Sequence, residues 1–135
     1  GYISSVQAET IVPEKITAFF ESNLYKRIEK SLNVWRERKF MVAISELNIK
    51  SDIMEKFSKS DGMIKGIIDL MFEENDGLVI VDYKSDRGVS EKHLAERYGM
   101  QIQLYKSAIE LTTGKKVKEA YLYSIEKEKS IPIEL

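Results

Sequence analysis

The sequence contains no cysteine, so disulfide bridges and thiolate-bound metals are excluded from the outset. Its single histidine, His93, is too little for an imidazole metal site by itself, and among Glu91, Lys92 and Glu96 it is expected at the surface. No stretch approaches the ~20 apolar residues of a membrane span, and no secretory signal is evident in the first residues, so a cytoplasmic setting without membrane contact is expected. Net charge is also missing. The 21 basic and 22 acidic residues leave −1, which is not the electrostatic footprint of a self-sufficient nucleic-acid binder.

What is present is enough for one domain: 135 residues, of which 43% are hydrophobic and 32% charged. The most informative stretch is Gly77-Leu-Val-Ile-Val-Asp-Tyr-Lys84, an apolar strand that turns charged only at its end. Side chains alternate along a strand, so Asp82 and Lys84 share one face while Tyr83 points the other way. Upstream, Met63 to Phe72 reads as a second strand carrying Asp69, and Asn75-Asp-Gly77 between the two is a hairpin signal. A turn at Asp76-Gly77 sets Asp69 opposite Lys84, whereas a turn at Asn75-Asp76 sets it opposite Asp82. Either even-length turn gathers all three on one face, and an odd turn without a bulge sends Asp69 to the other.

Two carboxylates in one patch repel, which protonation or a hard divalent cation relieves. An all-oxygen donor set suits Mg²⁺ or Mn²⁺ and not zinc, and such an ion beside a lysine points to phosphodiester hydrolysis, with Lys84 orienting water or neutralising developing charge. The competing reading is a plain salt bridge at a strand end.

In chain order, residues 1–12 have no consistent period and read as a tail or linker remnant. Pro13 and Glu14 suit a helix start, and Ile16, Phe20, Leu24, Ile28 and Leu32, widened by Phe19, predict one amphipathic helix over 13–31. Its basic residues Lys26, Arg27 and Lys30 are either solvated or DNA-facing. Val34 to Ile44 reads as a strand, with Glu37 in Arg36-Glu-Arg38 as a solvent-side ion pair. Residues 47–60 are either a short helix capped at Ser51-Asp52 or an insertion.

Ser90 and Gly114 bracket a helix from about 91 to 112, with Leu94, Tyr98, Tyr105 and Ile109 as its buried stripe. Gln101 lies within that stripe and needs a polar target: backbone at the sheet end, or water, nucleic acid or the site loop. Tyr105, one turn on, is either core or a further hydroxyl of the same site. Val117 to Tyr123 is a strand, and Ile131-Pro-Ile133 is an edge strand or an unpaired tail. The order helix, strand, strand, strand, helix, strand predicts an α/β sandwich with a mixed sheet.

At Gly66-Ile-Ile-Asp-Leu70, Val81-Asp-Tyr-Lys84-Ser-Asp-Arg87 and Arg97-Tyr-Gly-Met-Gln101-Ile-Gln-Leu-Tyr105, the chain resembles the RecB-like branch of the PD-(D/E)XK nuclease superfamily. More narrowly it resembles the C-terminal nuclease domains of the AddA (RexA) subunits of bacterial ATP-dependent helicase-nucleases. The resemblance implies a restriction-endonuclease-like core over 13–135, with Asp69 and Asp82 as metal ligands and Lys84 as catalytic lysine. It implies the Tyr83 carbonyl as an extra ligand, Gln101 and Tyr105 as the Gln-x-x-x-Tyr pair, and Glu37 as the match to an Arg-Glu element.

The implied activity is that of a Mg²⁺- or Mn²⁺-dependent exonuclease domain processing double-strand DNA ends for recombinational repair. The implied partners are DNA, helicase domains on the same parent chain and an AddB-type subunit. The branch also carries a histidine on a helix well upstream of the first Asp, and no such segment lies before Pro13. Together with the missing charge, this leads us to expect a fragment of a larger protein, weak in metal binding and cleavage by itself. A stand-alone nuclease and a non-catalytic scaffold of the same fold are the alternatives.

Overall fold

The computed structural model describes residues 13–47 and 62–135. The tail expected over 1–12, and all of the ambiguous stretch beyond Leu47, lie outside the described residues.

Two short helices open the described part of the chain, α1 (Pro13–Phe20) and α2 (Asn23–Glu29). Strand β1 (Asn33–Ala43) follows, then a single 3-10 turn (Ile44–Glu46), strands β2 (Met63–Glu74) and β3 (Gly77–Lys84), helix α3 (Glu91–Thr113), and strands β4 (Val117–Ser124) and β5 (Lys129–Pro132). The five strands form one sheet in the order β1-β2-β3-β4-β5. Among the described residues only β3 and β4 run parallel, joined by α3 as a crossover, so the sheet is mixed as expected. Among the described residues, no helix is long and apolar enough to cross a membrane.

The expected single helix over 13–31 is two. Ser22 interrupts it: its extended backbone and its Oγ, which accepts the Tyr25 N–H at 3.1 Å and donates to the Phe19 carbonyl at 2.6 Å, end one helix and cap the next. The break re-phases the stripe. Phe19, Leu24 and Ile28 turn inward, while Ile16, Phe20 and Leu32 are left exposed. The start and stop of α3 are as the sequence implies, with Ser90 Oγ accepting from His93 N and Gly114 left-handed at φ +71. Ile102 and Ala108, which the predicted stripe omits, are fully buried in it, and Tyr98 is only half-buried. Edge strand β5 forms, pairing antiparallel with β4.

The sheet separates two apolar layers. One, under α3, contains Ile68, Met71, Ile80, Ile102, Tyr105 and Leu122; the other, under α1 and α2, contains Phe19, Leu24, Leu70, Phe72, Val81 and Tyr123. Strict alternation fails at one level. In β1, Trp35 and then Phe40 face α3, and in β2, Ile68 and then Met71 do, so both strands slip by one residue between these points. The ladder count is unbroken across the slip, Arg36 pairing with Leu70 and Arg38 with Ile68, which sets Glu37 level with Asp69. Glu37 takes φ +51, a conformation in which a non-glycine residue is strained, and this is the kink.

Helix α2 is pinned to the β2–β3 hairpin and to β4 by ion pairs. Arg27 bonds Glu74 at 2.7 Å and Glu119 at 2.5 Å, with its guanidinium over the Phe72 ring. Lys118 joins Glu74 at 2.7 Å and also pairs with Asp76. Of the three helical cations read as solvated or DNA-facing, Arg27 is therefore committed to structure. Its guanidinium and the Lys118 ammonium hold the Glu74 carboxyl down at about 2. The cluster is partly exposed, so solvent discounts its value. Arg27→Ala should cost about 1–2 kcal/mol by urea denaturation at pH 7. Because the folded-state pKa of Glu74 is depressed, this contribution is complete above the ordinary glutamate range and is lost as pH falls towards about 2. The gap between variant and parent should narrow accordingly.

Candidate active site

The hairpin settles the register that the sequence leaves open. Glu74 pairs with Gly77, so the turn is Asn75-Asp76. Gly77 suits its place: φ is +153, and a Cβ there would stand 2.9 Å from the Lys116 carbonyl oxygen. Counting back, Leu70 pairs with Val81, and the next level would be Asp69 against Asp82. The β2–β3 ladder stops there. The Tyr83 N–H instead donates to Asp69 Oδ2 at 2.9 Å, so a side chain takes over from the backbone where the two strands part.

Asp82 is fully buried (0% exposed), and its Oδ2 lies 2.8 Å from the ammonium of Lys84, itself only 8% exposed. Lys84 Nζ donates to Gln101 Oε1 at 3.0 Å and sits 3.9 Å from the centre of the Tyr98 ring. Gln101, half-buried on α3, thus finds a target that neither sequence reading names, the lysine itself. Tyr105, one turn further on, packs its edge on Phe40 and is buried, which together with the nearby charge of Asp69 raises its phenol pKa. A Cβ on Gly66 would lie 2.5 Å from Phe40 Cζ and 3.1 Å from Tyr105 Cε1, so glycine lets these rings close over β2.

Asp69 is buried, and burial raises its pKa; the Tyr83 N–H and the charge of Lys84 pull the other way without cancelling it. Asp69, Asp82, Lys84, Gln101 and Tyr105 therefore come together where the sheet opens beneath α3. The Tyr83 side chain lies on the opposite face against Phe19 and Tyr123, its phenol pushed up to about 12 by burial, which leaves only its backbone for the site. Glu37 is exposed on β1, and His93 is exposed at the start of α3, as expected.

The donor set fits a hard divalent ion. Asp69 and Asp82 supply only oxygen, both are buried, and a cation would relieve the cost of ionising Asp69 there. Among the described residues, no group of three or more His, Cys, Asp or Glu is placed to hold a metal ion, and water or backbone oxygens could add to Asp69 and Asp82.

Sequence reasoning missed two residues. Tyr98, read as part of the core stripe, caps Lys84 with its ring, and Asp86, which the resemblance quotes within 81–87 without a role, accepts hydrogen bonds from Tyr98 and Arg97. The available signal was spacing, because Tyr98 precedes Gln101 by one helical turn and so shares its face.

Comparison with known proteins agrees with this geometry. A family model described as the PD-(D/E)XK nuclease superfamily matches residues 3–133. The A-type subunit of the ATP-dependent helicase/nuclease of Thermoanaerobacter sp. strain X514 is 42% identical over 123 residues, covering 90% of this chain and 10% of that protein. The protein of the same name from Clostridium novyi is 41% identical over 135 residues, covering 98% and 11%, and that from Clostridium acetobutylicum is 37% identical over 124 residues, covering 90% and 10%. The chain thus spans about a tenth of the length of the curated relatives it matches. With a mixed five-stranded sheet of the restriction-endonuclease-like kind, and with a family match over nearly its whole length, the chain belongs to the PD-(D/E)XK nuclease superfamily.

Proposed function

We propose that this chain is the DNA-hydrolysing module of a helicase-nuclease, an exonuclease domain that uses Mg²⁺ or Mn²⁺ to trim double-strand DNA ends for recombinational repair. The observation that carries the reading is the buried Asp82–Lys84 pair at the point where β2 and β3 part, with Asp69 at the next ladder level. The name and bacterial sources of the relatives support helicase domains on the same parent chain, and a bacterial cytoplasm is the setting we assign. An AddB-type subunit is the partner we assign, and residues 13–135 are the nuclease domain. A net charge of −1 favours a module whose grip on DNA comes from elsewhere over a stand-alone nuclease.

Asp69, Asp82 and the Tyr83 carbonyl would hold the ion, which when bound polarises the phosphodiester and acidifies a water. Lys84 orients that water or offsets the charge gathering on the phosphoryl oxygens as the new P–O bond forms and the old one breaks. Gln101, which accepts from the ammonium, fixes its direction. The Tyr105 hydroxyl, with its pKa raised, stays protonated and available as a donor to substrate.

Asp82→Asn keeps the shape of its side chain, and Lys84→Gln removes the charge while retaining N–H donors on a shorter side chain. Each should reduce Mn²⁺-supported cleavage of linear duplex at least about 100-fold under single-turnover conditions, with circular dichroism unchanged. Parental cutting by either variant would remove these residues from the site.

The same buried charge should be visible as a stability cost in chelator. The folded state holds the Asp69 proton more tightly than the unfolded chain does, so stability falls as pH rises from the ordinary aspartate range through the raised folded value. Asp69→Asn, whose Oδ1 still accepts the Tyr83 N–H, should raise Tm by a few degrees above neutrality. That gain should vanish near pH 3.8, the ordinary aspartate value.

A further inference from the structure

The turn after β3 and the helix above it are fastened together through Asp86. Its Oδ2 accepts from Arg97 Nη1 at 2.6 Å, and the Tyr98 hydroxyl donates to the same carboxylate, 3.0 Å from Oδ1 and 2.9 Å from Oδ2. The far end of the turn is held too, because the Gly88 N–H meets both Glu126 carboxylate oxygens at 3.1 and 2.9 Å. Tyr98 is thereby anchored at its tip while its ring lies over Lys84 Nζ, 3.9 Å from the centroid.

Asp82, Gln101 and Tyr98 all touch the ammonium, and they differ in what they do when the site is charged. Asp82 is a proposed metal ligand, so its hold on Lys84 weakens as its negative charge is shared. Gln101, a neutral acceptor, directs one N–H of the ammonium but brings no negative charge or π-face to hold the cation when Asp82 is engaged elsewhere. The face of Tyr98 attracts a cation without competing for the ion, and this attraction is stronger at a poorly hydrated site than at the surface. Lys84, 8% exposed, is at such a site.

We propose that Tyr98 is a positioning residue for Lys84: its ring, locked by Asp86, holds the ammonium in line when Asp82 turns to the metal. This rests on Lys84 being the catalytic lysine.

The test uses the 135-residue chain. Lys84 side-chain protons lie under the Tyr98 ring and should resonate upfield by NMR. Tyr98→Phe should preserve that shift and Tyr98→Leu abolish it. In single-turnover cleavage with Mn²⁺, Tyr98→Leu should lower the rate at saturating enzyme about tenfold, with the half-saturating enzyme concentration within about twofold. Tyr98→Phe and Asp86→Ala each break the same anchor, so each should lose about two- to threefold and the double variant no more than either.

Parental rate in Tyr98→Leu with Lys84→Gln inactive would overturn the positioning role and leave the catalytic lysine standing. Parental rate in Lys84→Gln would remove both. Should Tyr98→Leu fail to fold, the decision passes to the anchor pair, where multiplicative losses in the double variant would overturn the proposal.

Discussion

An aspartate and a lysine side by side at the end of an otherwise apolar strand, almost sealed from water, are an expensive arrangement. Removing two such charges from solvent costs several kcal/mol per ion, and their attraction recovers this only if further hydrogen bonds complete the site. Much of the local architecture supplies those bonds. Gln101 accepts from Lys84, the Tyr98 ring covers it, and the β2–β3 ladder ends at this level with the Asp69 carboxylate taking the Tyr83 N–H. A pair kept only for stability would be replaceable by two well-packed aliphatic residues, so the cost itself argues for a chemical use.

The kink at Glu37 belongs to the same arrangement. By slipping β1 and β2 together at the level of Asp69, it turns Phe40 and Gly66 towards Tyr105 while the hairpin below keeps Leu70 and Phe72 in the opposite layer. The sheet then serves two ends at once. Its hairpin half is a conventional two-sided core, clamped by Arg27 and Lys118, and its outer half sets Phe40 and Gly66 against Tyr105.

Legibility in the sequence followed the range of the forces. The β3 strand, the Asp82–Lys84 face and the caps of α3 are local patterns and were readable directly. The turn was narrowed to alternatives, and the pairing of Glu74 with Gly77 chose between them. The break at Ser22 was hidden because apolar residues every fourth position fit one helix as well as two, and only the cap hydrogen bonds separate them. Nothing local announces the kink, since Glu37 adopts a left-handed conformation that its residue type disfavours. Tyr98 packs against the core under α3 as its helical phase implies, but that phase cannot disclose that the ring also covers Lys84.

A divalent ion and the Lys84 ammonium should compete for the Asp82 carboxylate. Calorimetric titration of Mn²⁺ into the parent, Asp82→Asn and Lys84→Gln tests this competition directly. Losing the aspartate removes a ligand, whereas losing the ammonium removes a competing positive charge. Binding that weakens in Asp82→Asn and holds or tightens in Lys84→Gln is the predicted result. The contradicting result is an equal effect in both variants, which would make the pair a structural salt bridge.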